Sequence, residues 1–213
     1  VSACDNDAGK QIAPPQDITL FASDGADFAA RRYRTDAPSG IAPPGLLLIG
    51  DADTAPQAWD PFAALACARG YVALATGDAS APALAACKQA LIDAGADPAR
   101  LAVVGAGQGG CVAVHLAQDD LDMLAVVLLS PTRDCADYDI QEAVASLRDC
   151  PLLLLASADD LDAATTARAL DAAAGGFCEL RVFPGTLHGI ALPTGSASAG
   201  RLVFAWLENI LPQ

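Results

Sequence analysis

The residues of this chain that could do chemistry are a glycine-rich turn, two adjacent carboxylates and a late histidine. The turn is Gly105–Gly109, the carboxylates are Asp159 and Asp160, and the imidazole belongs to His188. A carboxylate that orients an imidazole, which then deprotonates a hydroxyl or thiol, is a recurrent arrangement for nucleophilic catalysis. The middle of the turn, where the nucleophile would stand, is Gly107, which has no reactive atom.

The glycines of the turn indicate a sharp corner between a strand and a helix. The apolar run Leu101–Val104 precedes the turn, and a helical pattern follows it. In so tight a corner, a Cβ atom at Gly105 or Gly109 would collide with the neighbouring strand and helix. A residue at the tip is held at positive φ, a strain of about 1–3 kcal/mol that glycine avoids. Glycine at position 107 therefore suits the tip of such a corner.

Short apolar runs alternate with helical patterns along most of the chain, which predicts an α/β fold. The run Leu46–Ile49 is typical of a strand buried on both faces of a parallel sheet. Before it, Asp17–Ala22 and Ala26–Arg34 predict an antiparallel hairpin that turns at Ser23–Gly25. The arginines of the second hairpin strand favour an edge position that faces water. We therefore expect a mostly parallel sheet with an N-terminal antiparallel hairpin and helices on both faces.

Functional residues of such a sheet lie at the carboxyl ends of its strands. The residues at those predicted ends are Gly50, Asp51, Asp78, Gly107, Ser130, Asp159, Asp160 and His188. Along the chain, the position for a nucleophile comes first, the acids follow, and the histidine comes last. This order is the one found in α/β-hydrolases.

From about Asp17 to its C-terminal end, the chain resembles the α/β-hydrolases, and most closely the lidless branch typified by dienelactone hydrolase. Besides the order of the candidate residues, the resemblance is carried by Ala68–Ala75, by Asp97–Leu101 leading into Gly105–Gly110, and by His188-Gly189. It implies an α/β-hydrolase fold without a lid domain over residues 16–213, preceded by a flexible tether over residues 1–15.

The resemblance also implies a role for each candidate residue. His188 corresponds to the general base, and Asp159, with Asp160 as the second choice, corresponds to the acid that orients it. Gln108 corresponds to the residue whose backbone N–H helps to stabilise an oxyanion. No cofactor and no metal ion are expected.

Two departures from the pattern of these enzymes predict impaired catalysis. Gly107 offers no atom on which an acyl-enzyme could form. Gly50 and Asp51 stand where relatives often carry His-Gly, and the carboxylate of Asp51 would oppose the charge of a forming oxyanion. We therefore expect a non-catalytic or impaired relative of serine esterases, which keeps the acid–histidine pair and a pocket for a small ester or acid.

Three other interpretations stay open. The chain could be an active serine ester hydrolase whose nucleophilic serine has been replaced by Gly107, or a binding lipoprotein with no ligand pocket. It could also be a magnesium-dependent phosphotransferase, with Asp51 as nucleophile and Asp53 as acid and base after the strand Leu46–Ile49. The lysine that such phosphotransferases use has no counterpart, since Lys10 and Lys88 are the only lysines and both lie before the later motifs.

Charge and cysteine content restrict the partners and the compartment. A net charge of −14 argues against nucleic acid and anionic membranes as partners. Seven cysteines favour an oxidising compartment. Cys4 follows Val1-Ser2-Ala3, which is typical of a bacterial lipoprotein, so we expect a periplasmic or outer-surface protein with a lipid anchor at Cys4 and no other contact with membrane.

The six remaining cysteines are an even number and could form three disulfides. Cys111 lies four residues after Gly107 and could place a thiol near the turn, although a packing role or half of a disulfide is the simpler reading. Cys150 and Cys178 each precede a predicted strand, and would be within bridging range if those strands are adjacent and parallel.

Overall fold

The computed structural model describes residues 13–35, 40–51, 53–77, 80–136 and 138–211. Its described strands form an eight-stranded sheet with the order β1-β2-β4-β3-β5-β6-β7-β8. The strands are β1 (Gln16–Phe21), β2 (Asp27–Tyr33), β3 (Gly45–Ile49), β4 (Val72–Thr76), β5 (Leu101–Ala106), β6 (Met123–Leu129), β7 (Leu152–Ser157) and β8 (Cys178–Phe183). Strands β3 to β8 run parallel, whereas β2 is antiparallel to both β1 and β4. The predicted parallel sheet with an antiparallel hairpin is confirmed.

Strand β2 lies inside the sheet, so its predicted edge position is wrong. Strand β1 forms the edge instead. The side chain of Arg31 is only 15% exposed, and its guanidinium binds the carboxylates of Asp17 at 2.6 Å and Asp60 at 2.7 Å. Partial burial acts to raise the pKa of Asp60, but hydrogen bonds from Arg31 and Tyr33 outweigh it, and the pKa is lowered. An arginine-rich strand can therefore be internal, because Asp17 on the neighbouring strand β1 and Asp60 near Arg31 neutralise its charge.

Helices cover both faces of the sheet. They are α1 (Asp60–Ala68), α2 (Ala81–Asp93), α3 (Gly109–Asp119), α4 (Ile140–Ser146), α5 (Leu161–Ala173), α6 (Ala191–Gly195) and α7 (Ala197–Ile210), with a 3-10 turn at Pro56–Trp59 before α1. Helices α2 to α5 pack on one face and share one apolar cluster, and α1, α6 and α7 contribute to a second cluster on the other face. The short helix α6, just after His188, has no counterpart in the sequence prediction. No described helix is long and apolar enough to cross a membrane.

Two strands continue beyond the apolar runs that predict them, Leu101–Val104 and Leu152–Leu155. Strand β5 continues to Ala106, and β7 continues to Ser157. The alternating faces of β7 are buried through Ser157, so the strand ends only where the chain leaves the core. These extensions set the positions of the glycine turn and of the two candidate acids.

Among the described residues, the structure has one disulfide, between Cys111 and Cys135. The predicted pairing of Cys150 with Cys178 is wrong, since both carry thiols. Cys178 is opposite Leu152 in the parallel register, so Cys150 lies two residues before the position that would face it. Burial raises the pKa of the Cys150 thiol to about 11. Cys4 and its predicted lipid lie outside the described residues, as do most of the predicted tether and Asp78.

Candidate functional site

The glycine turn connects β5 to α3 at the carboxyl edge of the sheet. Gly107 has a φ of +54°, in the left-handed region that glycine tolerates best. Its N–H donates to the carbonyl oxygen of Leu129 at 3.0 Å, which ties the turn to the end of β6. The corner therefore has the backbone form expected of a site that presents a side chain to solvent, with glycine where that side chain would be.

The two flanking glycines are required by close backbone approaches. A Cβ atom on Gly105 would lie 2.6 Å from the Cα of Gly110, inside the first turn of α3. A Cβ on Gly109 would overlap the carbonyl oxygen of Ile49 and lie 2.5 Å from that of Gly50. The predicted collisions with the helix and the neighbouring strand are confirmed.

The side chain of Asp51 occupies the space in front of Gly107. A Cβ built on Gly107 would overlap Oδ1 of Asp51 and lie 2.9 Å from its Cγ. The backbone N–H of Gln108 donates to the same Oδ1 atom at 2.6 Å. The N–H group that the resemblance assigns to an oxyanion is therefore bound to a carboxylate of the chain itself.

His188 is paired with Asp160 and not with Asp159. Nδ1 of His188 lies 2.6 Å from Oδ2 of Asp160. The imidazole is 58% exposed, while the side chain of Asp160 is only 14% exposed. Asp159 is exposed, and its backbone N–H donates to the carbonyl oxygen of Gly185. The preference for Asp159 is thus wrong, because β7 extends through Ser157 and the next two residues form the turn. The residue that reaches the histidine is Asp160, which directly precedes α5.

A cavity of about 710 Å³ opens beside these groups. It is lined by Asp51, Gly107, Gln108, Ser130, Pro131, Thr132, Arg133, Asp134, Asp160, Asp162, Ala163, Thr165, Thr166 and His188. The structure therefore brings together Gly107, Asp51, Gln108 and the His188–Asp160 pair.

The prediction that Gly50 lines the pocket is wrong, because Gly50 is buried and does not line the cavity. A Cβ on Gly50 would lie 2.7 Å from the side chain of Thr54, so glycine is needed there for packing of the loop after β3. Apart from Ser130, the sequence reasoning missed the wall formed by the loop after β6 and by the first turns of α5. Both segments begin at the carboxyl end of a strand, which is the signal that could have identified them.

Cys111 is held in the disulfide with Cys135, so it offers no thiol to the site. The hydroxyl of Tyr138 donates to the carbonyl oxygen of Cys111. These two links fasten the loop between β6 and α4 to the first turn of α3. Because that loop supplies Arg133 and Asp134 to the cavity, the disulfide also holds one wall of the site.

No group of three or more potential metal ligands occurs in the part of the chain that the structure describes. Asp51, the proposed nucleophile of the phosphotransferase interpretation, has Oδ1 bound to the backbone N–H of Gln108. Asp53 does not line the cavity. The two carboxylates therefore do not both line this cavity.

The sequence matches no known protein-family model and no curated protein. Solved structures are similar in fold. The esterase domain of a Rhodothermus marinus protein superposes with a TM-score of 0.74 at 19% identity, covering 93% of this chain and 100% of that one. The carboxylesterase EstE1, from a metagenomic library, gives a TM-score of 0.73 at 17% identity, covering 96% and 91%. A protein assigned to the dienelactone hydrolases, from Klebsiella pneumoniae, gives 0.73 at 17% identity, covering 94% and 100%. The chain therefore has the α/β-hydrolase fold.

Proposed function

We propose that this protein is a non-catalytic relative of the serine esterases whose cavity binds a small ester or acid without acyl transfer. The observation that carries the proposal is the position of Asp51, whose carboxylate fills the space of a nucleophilic side chain at Gly107. The same carboxylate oxygen accepts the hydrogen bond from the N–H of Gln108. The carboxylate of Asp51 thus takes both the space of a nucleophilic side chain and the hydrogen-bond donor of an oxyanion.

Electrostatics makes this arrangement unfavourable for acyl transfer. A tetrahedral intermediate places a negative oxygen beside the N–H groups that stabilise it, and one lost donor costs about 3–4 kcal/mol in the barrier. Here the donor of Gln108 already bonds Asp51, and the carboxylate adds repulsion at close range. The side chain of a serine introduced at Gly107 would collide with the carboxylate of Asp51.

The remaining parts of the site support a binding role. The cavity of about 710 Å³ is in the size range of small-molecule sites. The His188–Asp160 pair stands at its edge with a hydrogen bond of 2.6 Å. An ordered imidazole can recognise a ligand by hydrogen bonding as readily as it can act on one.

The proposal is tested with Gly107→Ser, Asp51→Ala and the double variant. We expect neither the wild type nor Gly107→Ser to hydrolyse a short-chain aryl ester or to gain the mass of a fluorophosphonate label. The double variant removes the carboxylate and supplies the hydroxyl, so it should be labelled and should turn over the ester. Asp51→Ala alone is the matched control and should stay inactive.

Two outcomes would contradict the proposal. Vigorous turnover by Gly107→Ser alone would show that Asp51 does not block the site. Hydrolysis by the wild type that disappears in His188→Ala would show that the protein is an enzyme without a nucleophile at Gly107. A gene that encodes serine at position 107 would instead support the interpretation that Gly107 replaces a catalytic serine.

We also propose that the protein works in an oxidising compartment such as the periplasm or the outer surface of a bacterium. The support is the Cys111–Cys135 disulfide, which holds a wall of the cavity. Disulfides of this kind persist outside the reducing cytosol. Lipid attachment at Cys4 would add a tether to this location and stays a prediction.

A further inference from the structure

Two buried serines lie beside the loop that carries His188. Ser130 directly follows β6 and is 1% exposed, and Ser157 is the last residue of β7 and is fully buried. Strands β6 and β7 are adjacent and parallel, so their carboxyl ends meet at the same edge of the sheet. Ser130 lines the cavity, whereas Ser157 does not.

The two hydroxyl groups bond the backbone on either side of His188. The hydroxyl of Ser157 donates to the carbonyl oxygen of Leu187 at 2.5 Å. The N–H of Gly189 donates to Oγ of Ser130 at 2.9 Å. With hydrogen bonds to the residue before it and the residue after it, the backbone of His188 has little freedom, and the direction of its Cα–Cβ bond is set.

The backbone of Ser130 is strained. Its φ is +50°, and it is the sole non-glycine residue at positive φ in the part of the chain that the structure describes. Glycine would adopt this conformation without strain, but it would leave the N–H of Gly189 without its hydroxyl acceptor. Strain of this kind persists where the surrounding structure requires it, and it is concentrated at functional sites.

We propose that Ser130 and Ser157 are positioning residues, which hold His188 against Asp160 with the imidazole proton on Nδ1. In that tautomer Nδ1 donates to Asp160, and Nε2 is left as a hydrogen-bond acceptor. Because His188 lines the cavity, Nε2 is available to a hydroxyl or N–H group of the molecule that binds there. The use of this acceptor rests on the proposed binding function, but the positioning itself does not.

The experiment reads the tautomer of His188 by long-range ¹H–¹⁵N spectroscopy of the imidazole in the unliganded protein. The chain has two histidines, His115 and His188, so His115→Gln assigns the signals. At a pH where the ring is neutral, the wild type should show the Nδ1–H form of His188. Ser130→Ala and Ser157→Ala should each lose this single form and gain the Nε2–H form, which is the commoner one in water.

Two further variants separate positioning from general loss of stability. Ser196→Ala also removes a hydroxyl that accepts from a backbone N–H, at the start of α7, and it should keep the Nδ1–H form. Ser157→Thr keeps a hydroxyl at the end of β7 and should restore the wild-type spectrum. Circular dichroism checks that each variant is folded.

The proposal is overturned if wild-type His188 is mainly in the Nε2–H form, or if both alanine variants keep the Nδ1–H form. It is also overturned if Ser196→Ala changes the spectrum as much as they do, or if Ser157→Thr behaves like Ser157→Ala. All spectra are recorded without a ligand. A cavity that binds nothing would therefore refute the proposed function and leave the result on the two serines intact.

Discussion

At the scale of single residues, some positions of the glycine turn have room for a side chain and others do not. A Cβ on Gly105 would press on the backbone of α3, where nothing can move without shifting the helix. A Cβ on Gly110 would meet Cδ2 of Leu128 at 3.4 Å and the carbonyl oxygen of Gly105 at 4.0 Å, and both are ordinary contacts. The two glycines are close in sequence but differ in what they tolerate.

Gly105→Ala should lower the free energy of unfolding by about 1–3 kcal/mol, the cost of overpacking a filled core. Gly110→Ala is the matched control, since it adds the same methyl group five residues later. It should leave stability unchanged or raise it by up to about 1 kcal/mol, because alanine restricts the unfolded chain and favours the helix. Urea unfolding measures both, and equal losses in the two variants would refute this account of the turn.

At the scale of elements, the Cys111–Cys135 disulfide joins helix α3 to the loop between β6 and α4. Helix α3 is packed on the sheet, while the loop after β6 crosses the carboxyl edge to reach α4. The bridge closes a segment of 24 residues. One covalent bond therefore keeps the loop, with Arg133 and Asp134, against the cavity.

Replacement of both bridged cysteines by alanine should lower the free energy of unfolding by about 3 kcal/mol, as expected from the entropy of a loop of this length. Dithiothreitol should lower the urea midpoint of the wild type towards that of the double variant, and should leave the double variant unchanged. Cys150→Ala should stay as sensitive to dithiothreitol as the wild type, because Cys150 carries a thiol. A wild type that is indifferent to reduction would contradict the assigned bridge.

At the scale of the whole molecule, charge discriminates between the two ligand classes that the sequence allows. The net charge is −14, and the cavity is lined by four aspartates, against a single arginine. The negative electrostatic potential of these charges repels anions and lowers their concentration at the site. An ester should therefore be preferred over the corresponding carboxylate.

Methyl benzoate and benzoate are a matched pair for this preference. Methyl benzoate should shift the NMR signals of cavity residues such as Thr166 and Gln108, and benzoate should shift them less at the same concentration. Added salt should narrow the difference, because it screens the charges. Stronger binding of benzoate at low salt would show that local donors, rather than the overall field, decide what enters the cavity.

The sequence allowed the fold to be predicted because its signals are local. Apolar runs of strand length alternate with helical patterns. Gly105 and Gly109, which have no side chain, indicate a tight corner. The edge position of β2 was predicted wrongly, since Arg31 binds Asp60 as well as its hairpin partner Asp17, and Asp60 is distant in sequence and is brought to it by folding. Local pattern cannot identify a partner of this kind.

The sequence by itself determined which groups remain around the turn: an acid, an imidazole and a carboxylate after β3, with no nucleophile at Gly107. Only the tertiary structure decided that Asp160 rather than Asp159 meets His188, and that Asp51 fills the space before Gly107. The reason is physical. Residue types are fixed by the chain, whereas the choice between adjacent carboxylates depends on where a strand ends, and the occupant of a space depends on how separate loops pack.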